Sequence, residues 1–218
     1  MGRPMGHVFT RDYGLYFVLD LPAQRDPVEL VTAAVAGGAT IVQLRGKDVP
    51  AGDLYQTALA VRKVLEGTRV PLVVNDRLDV AMAAGAEGVH VGGTDLPFER
   101  VRQIAPGRIV GVSCYGDLDR ARQAVAAGVD YVAFGAFSPS PSKPEARVVP
   151  LETLAGARDL GVPVVAIGGI TVDQVEEIVR AGADGVAVIS AIQGAPDPEA
   201  AARDLRAAVE RGRTGRPG

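Results

Sequence analysis

Tryptophan is absent and cysteine occurs once, at Cys114. A single thiol forms no internal disulfide and fits a reducing compartment, so the expected location is cytoplasmic. Aromatic residues make up 5% of the chain while apolar residues reach 47%. The core must therefore be packed from Ala, Val, Leu and Ile, as in a helix-covered parallel sheet. No apolar run is long enough to cross a bilayer. The opening residues MGRPMGHVFTRDYG lack the apolar segment of a secretory signal. Gly6 stands where a myristoylation signal needs Ser or Thr. A net charge of −3 offers no general basic field to nucleic acid or an anionic membrane. Any anionic ligand must be held by a local cluster.

What the sequence does contain is an alternation repeated eight times. Strand patterns fall at 15–19, 40–44, 72–75, 89–91, 109–113, 131–134, 164–167 and 186–189. Helical patterns follow each, at 27–36, 51–65, 78–84, 97–104, 118–127, 151–160, 171–181 and 198–211. Short connections between them predict an α/β fold, a single-domain (β/α)8 TIM barrel over 14–211, with an open doubly wound sheet as the other arrangement. Gly38, Gly85, Gly128 and Gly182 each precede an even-numbered strand, an echo every two βα units that supports closure. Residues 1–13 and 212–218 are expected to be flexible.

The stretch 163–191, PVVAIGGITVDQVEEIVRAGADGVAVISA, holds the densest signal. A branched apolar run reads as a buried strand, stopped by Gly168-Gly169. Thr171 caps a helix whose apolar positions Val172, Val175, Ile178 and Val179 share one face. The glycines and Ile189-Ser190 follow adjacent strands, where the seventh and eighth loops of such barrels commonly cup a phosphate. Taken alone, the glycine pair is also consistent with a plain turn.

Period two in the second strand puts Gln43, Arg45 and Lys47 on the barrel axis and turns Val42 and Leu44 to the helices. Two inward cations are costly without an anion. Either a ligand supplies it or Asp76 or Asp95 does. Those acids follow the third and fourth strands and bring two carboxylates to one rim. Beside the cations they suit an anion carrying Mg²⁺, which takes one or two protein carboxylates plus substrate oxygens. Asp95 is equally consistent with an N-cap, and Asp79 reads as a solvated helix-start residue. His90 shares the inward parity and reads as a hydrogen-bonded core residue. Ser113 ends the fifth strand, where it could donate to an anion, and Cys114 reads as a packed thiol. His7 is assigned no role. The Pro- and Ser-rich loop from Gly135 to Pro144 places Ser140 and Ser142 on one side of an extended chain, with Lys143 adjacent. It reads either as a lid over the site or as a connector.

Together, Val42-Gln43-Leu44-Arg45-x-Lys47, Val74-Asn75-Asp76, Gly88-Val89-His90-Val91-Gly92-x-x-Asp95, Gly111-Val112-Ser113, Ser140-x-Ser142-Lys143, Ile167-Gly168-Gly169-Ile170 and Val188-Ile189-Ser190 resemble the ordered motifs of thiamine-phosphate synthases. The resemblance implies a (β/α)8 enzyme that couples a hydroxymethylpyrimidine diphosphate to a thiazole phosphate. It further implies that Gln43, Leu44, Arg45, Gly46, Lys47, Asn75, Ser113 and Lys143 hold the pyrimidine diphosphate, with Arg45, Lys47, Ser113 and Lys143 in the chemistry. Ser140, Pro141, Ser142, Gly169, Ile189 and Ser190 would hold the thiazole phosphate, and Asp76 and Asp95 the Mg²⁺. Small-molecule substrates are the expected partners, without nucleic acid or membrane, and homo-oligomerisation is left open. Ser140 and Ser142 depart from a pattern in which Thr is common, and Gly93-Thr94 from one richer in polar side chains. The related thiazole tautomerase, a metal-independent isomerase, shares the phosphate cup, and the cluster of Arg45, Lys47, Asp76, Asp95 and Lys143 favours the synthase. A non-catalytic barrel that binds a thiamine precursor is the remaining alternative.

Overall fold

A computed structural model describes residues 12–139 and 147–215. Eight short strands, β1 (Leu15–Asp20), β2 (Ile41–Arg45), β3 (Leu72–Asn75), β4 (Gly88–Val91), β5 (Ile109–Tyr115), β6 (Tyr131–Phe134), β7 (Val164–Ile167) and β8 (Gly185–Val188), pair in parallel in chain order. β8 returns to β1, with Leu15 opposite Val186, and closes the barrel. The helices α1 (Pro27–Ala36), α2 (Ala51–Leu65), α3 (Leu78–Ala84), α4 (Phe98–Ile104), α5 (Leu118–Ala126), α6 (Glu152–Ala157), α7 (Val172–Ala181), α8 (Ser190–Gln193) and α9 (Pro198–Thr214) lie between and after them. No helix among the described residues is long and apolar enough to cross a membrane.

Local chemistry accounts for where several helices begin. Asp26 accepts from Val28 N and Glu29 N at 2.7 and 3.1 Å, with Pro27 in the first turn. Asp117 does the same for α5, and Asp197 for α9. Such caps satisfy amides that have no partner within the helix.

Strand alternation sorts the core into two shells. Phe17, Leu19, Val42 and Leu44 are fully buried against the helices. Tyr16, Val18, Ile41, Val73, Tyr131 and Val165 fill the barrel itself. Burying each of the larger side chains stabilises the fold by roughly 1.5–3 kcal/mol. Gly111 makes the interior possible: a Cβ there would lie 2.0 Å from Tyr131 Cζ. Its missing side chain is the space that the Tyr131 ring occupies.

Several boundaries differ from the sequence expectation, among them the end of β1, which reaches Asp20. The run at 151–160 is α6 followed by a single 3-10 turn, Arg158–Leu160. β8 stops at Val188, and Ile189 is the N-cap of α8, which is too short to announce itself by periodicity. α9 continues past Arg211 to Thr214. Its last turn is tied down, because Arg213 donates to Asp12 at 2.8 Å and to the Asp184 carbonyl at 2.7 Å.

Candidate active site

The C-terminal ends of the strands open into a cavity of about 1120 Å³. Gln43, Arg45, Lys47, Asn75, His90, Ser113, Gly168 and Ile189 are in its wall. Parity brings them there. Tyr16 and Val18 of β1, Gln43 and Arg45 of β2 and His90 of β4 all point inward, and the wall also takes Tyr115, Gly116, Asp117 and the segment from Arg147 to Pro150. Leu44 faces the helices, is fully buried and does not line the cavity. Gly46 is buried against Val49 and Leu54. Ser140, Pro141, Ser142 and Lys143 lie outside the described residues.

Arg45 is paired with neither Asp76 nor Asp95. It donates to Asp20 at the end of β1, and both side chains are largely buried. Asp20 extends the inward series Tyr16, Val18 by two residues, so the parity that found Arg45 would also have found its partner. The expected strand end at position 19 hid it. Gln193 of α8 holds Asp20 in place: its Oε1 accepts from Asp20 N at 3.0 Å and its Nε2 donates to Asp20 O at 2.9 Å.

Asp76 and Asp95 do meet. Asp95 is no helix cap, since α4 starts at Phe98 after Pro97. Its Oδ2 accepts from Gly92 N at 2.7 Å, which turns the carboxylate back over the β4 loop. There it hydrogen-bonds the Asp76 carboxyl. Burial, then the hydrogen bond and charge of Asp95, push the Asp76 pKa up to about 6, against the lowering influence of Lys47 and Arg45. Two carboxylates forced together in this way form a hard-oxygen donor set that a divalent cation would relieve. Among the described residues no group of three or more His, Cys, Asp or Glu converges on a metal position, so such an ion would complete its shell with substrate oxygens or water. Asp79 is exposed and pairs with Arg77 at 2.9 Å, apart from this pair.

The rim is braced from outside. Arg120 donates to the Ser113 carbonyl at 2.9 Å and the Gly92 carbonyl at 3.0 Å while lying over the Phe98 ring. The Tyr115 hydroxyl accepts from Gly93 N at 2.8 Å. Cys114, between them in sequence, is buried, and burial pushes its thiol up to about 12.

Gly168 and Gly169 have φ of 102° and 66°, a region that favours glycine. A Cβ on Gly169 would lie 2.5 Å from the Ser138 carbonyl oxygen, and one on Gly168 2.5 Å from Ala136 Cβ. The pair therefore admits the loop after β6 as well as ending β7. Gln174 of α7 fastens the same loop, donating to Ser138 Oγ at 2.8 Å. Ser190, the first residue of α8, is exposed on the neighbouring loop.

Known proteins match along almost the whole barrel. The family model for thiamine monophosphate synthase matches residues 15–192. A thiamine-phosphate synthase of Roseiflexus sp. (strain RS-1) is 47% identical over 211 residues, covering 92% of this chain and 89% of that one. One from Alkaliphilus oremlandii is 41% identical over 210 residues, covering 94% of this chain and 100% of its own. The solved thiamine phosphate pyrophosphorylase of Pyrococcus furiosus superposes with a TM-score of 0.85 at 39% identity, covering 93% of this chain and 98% of that structure. With the barrel, the cavity and these matches in agreement, the chain belongs to the thiamine monophosphate synthase family.

Proposed function

We propose that this transferase condenses 4-amino-2-methyl-5-(diphosphooxymethyl)pyrimidine with a thiazole phosphate to give thiamine phosphate and pyrophosphate. The observation that carries the reading is the convergence of Arg45, Lys47, Asn75 and Ser113 on one cavity, with the Asp76–Asp95 pair beside the two cations. The bond from the pyrimidine methylene to the diphosphate oxygen breaks, and the departing pyrophosphate keeps the electron pair. The thiazole nitrogen then donates its lone pair to the methylene carbon. An electron-rich pyrimidine supports a cation-like carbon, so the work falls on neutralising the leaving group and aligning the nucleophile.

Each candidate residue has a task in this reaction. Arg45 and Lys47 balance the diphosphate, Asn75 and Ser113 orient its oxygens, and Lys143 on the loop adds a third cation. Asp76 and Asp95 would hold Mg²⁺, which supplies Lewis-acid stabilisation to the leaving oxygens when bound. Gly169, Ile189 and Ser190, together with Ser140, Pro141 and Ser142, would hold the thiazole phosphate. No covalent nucleophile is required, and Cys114 is buried away from that role.

The test is direct. Purified protein, both substrates and Mg²⁺ should yield thiamine phosphate and pyrophosphate. Isomerisation of a thiazole phosphate as the sole turnover would convert the assignment to a tautomerase. Binding of either precursor without turnover would make the barrel a sensor.

A further inference from the structure

Inside the barrel a hydrogen-bonded chain runs from one wall residue of the cavity to another. Gln43 Nε2 lies 2.7 Å from the Tyr16 hydroxyl, which lies 2.7 Å from the Tyr131 hydroxyl. The Tyr131 hydroxyl lies 2.9 Å from His90 Nδ1, and His90 Nε2 lies 2.9 Å from Ser113 Oγ. Gln43, His90 and Ser113 reach the cavity. The two tyrosines joining them are fully buried, and the Tyr131 ring fits only because Gly111 has no side chain.

Each phenol carries one proton, and a neutral imidazole carries one between its two nitrogens. Burial raises both phenols above their ordinary range, so they remain protonated near neutrality. The chain then has two head-to-tail orders. In the first, Gln43 donates to Tyr16, Tyr16 to Tyr131 and Tyr131 to Nδ1, while the Nε2 proton goes to Ser113 Oγ. In the second, Ser113 donates to Nε2, the Nδ1 proton goes to Tyr131, and Tyr16 donates to a turned-over Gln43 amide.

The two orders show the cavity opposite faces. In the first, Ser113 has accepted a hydrogen bond and its own proton is available to a ligand, while Gln43 presents Oε1 as an acceptor. In the second, Ser113 presents only lone pairs and Gln43 presents N–H. A diphosphate oxygen beside Ser113 needs a donor, and facing lone pairs would cost the contact altogether.

We infer that Tyr16, Tyr131 and His90 are positioning residues that hold the first order, making Ser113 a hydrogen-bond donor and Gln43 an acceptor before substrate arrives. This rests on the reading of Ser113 as a diphosphate contact. His90 is accordingly a neutral Nε2–H ring and takes no proton from the reaction. The arrangement joins β1, β2, β4, β5 and β6, so a change at one phenol reaches a hydroxyl on a different strand.

The ring itself reports the order. The chain has only two histidines, so long-range proton–nitrogen correlation on nitrogen-15-labelled protein, with His7→Gln for assignment, reads His90 alone. The expected ring is neutral with its proton on Nε2, with or without added inorganic pyrophosphate and Mg²⁺. A proton on Nδ1, or a doubly protonated ring at neutral pH, would overturn the inference. Tyr131→Phe should turn the ring into a mixture of tautomers. It should also raise KM for the pyrimidine diphosphate about tenfold, the scale of a lost hydrogen bond to a charged group. Combined with Ser113→Ala it should add nothing to the loss from Ser113→Ala alone, whereas additive losses would show two independent effects. If Tyr131→Phe does not fold, Tyr16→Phe removes the preceding link and carries the same expectations. A protein without coupling activity would refute the proposed function. The ring tautomer, with pyrophosphate affinity of the phenylalanine variant by calorimetry, would still decide the relay.

Discussion

Asp76 is held at φ 61°, a left-handed conformation rare outside glycine. Asn and Asp tolerate it better than other side chains, so Asp76→Asn removes the charge without asking the backbone to move. On the proposed reaction, Asp76→Asn or Asp95→Asn lowers thiamine phosphate formation at least about a hundredfold, equivalent to roughly 2.7 kcal/mol in the barrier. Excess chelator is expected to abolish formation in the parent enzyme. Thiazole phosphate still binds both variants in calorimetry without Mg²⁺; loss of that binding would place the acid pair in the wrong half of the site. For the thiazole phosphate, Ser190→Ala is the cleaner probe. Gly169→Val would also drive a side chain into the Ser138 and Pro139 carbonyl oxygens, so it tests loop packing as much as ligand approach. Ser190→Ala should weaken thiazole phosphate binding by about 1.5–3 kcal/mol and leave diphosphate affinity unchanged. Equal loss for both ligands would contradict the division of the cavity. Strand parity made Gln43 and Arg45 legible, and a place at the end of a strand made Ser113 so. Neither revealed Tyr16 with Tyr131, whose hydroxyls meet across 115 positions of sequence.

Among the elements, α8 is the one whose sequence gives least warning. Four residues are too few for a periodic pattern, yet its last side chain closes a circuit. Gln193 satisfies both backbone groups of Asp20, and Asp20 pairs with Arg45. The loop after β8 is thereby coupled to the cation on β2. Gln193→Ala leaves the end of β1 without those two bonds. Destabilisation of about 1–3 kcal/mol is expected in urea unfolding, with KM for the pyrimidine diphosphate raised because Arg45 loses a fixed partner. An unchanged unfolding midpoint would show that the two bonds contribute nothing net. The glycine pair after β7 teaches a similar lesson. Its presence marks a turn, but the loop that needs the space is supplied by β6.

For the whole molecule, closure is reinforced where Asp12, just before β1, meets α9. Burial alone would raise the Asp12 pKa, but hydrogen bonds from Arg206, Arg213 and Gly14 N outweigh it and carry the value from 3.8 to about 2. A carboxylate depressed on folding contributes stability above its unfolded pKa. That contribution declines as pH falls from about 3.8 through about 2. Asp12 keeps part of its side chain in water, so the contribution is about 1 kcal/mol after screening. Asp12→Asn should lower stability near neutrality by that amount, and the gap from the parent should close as the solution is acidified through this window. A gap that stays constant with pH would remove the charge from the explanation.

The order of strands and helices, the facing of each strand residue and the placement of polar residues at the strand ends follow from the sequence by itself. Backbone geometry fixes a period of two in strands and 3.6 in helices, and an apolar pattern read against those periods needs no knowledge of distant neighbours. The tertiary structure alone decided which groups meet. Arg45 pairs with Asp20 rather than Asp76 or Asp95, the two acids share a contact, and Gln43 is linked to Ser113 through three buried side chains. Such meetings depend on how eight strands stagger as the barrel closes, and on glycines such as Gly111 that leave room for a ring from another strand. Neither is written in any local run of residues.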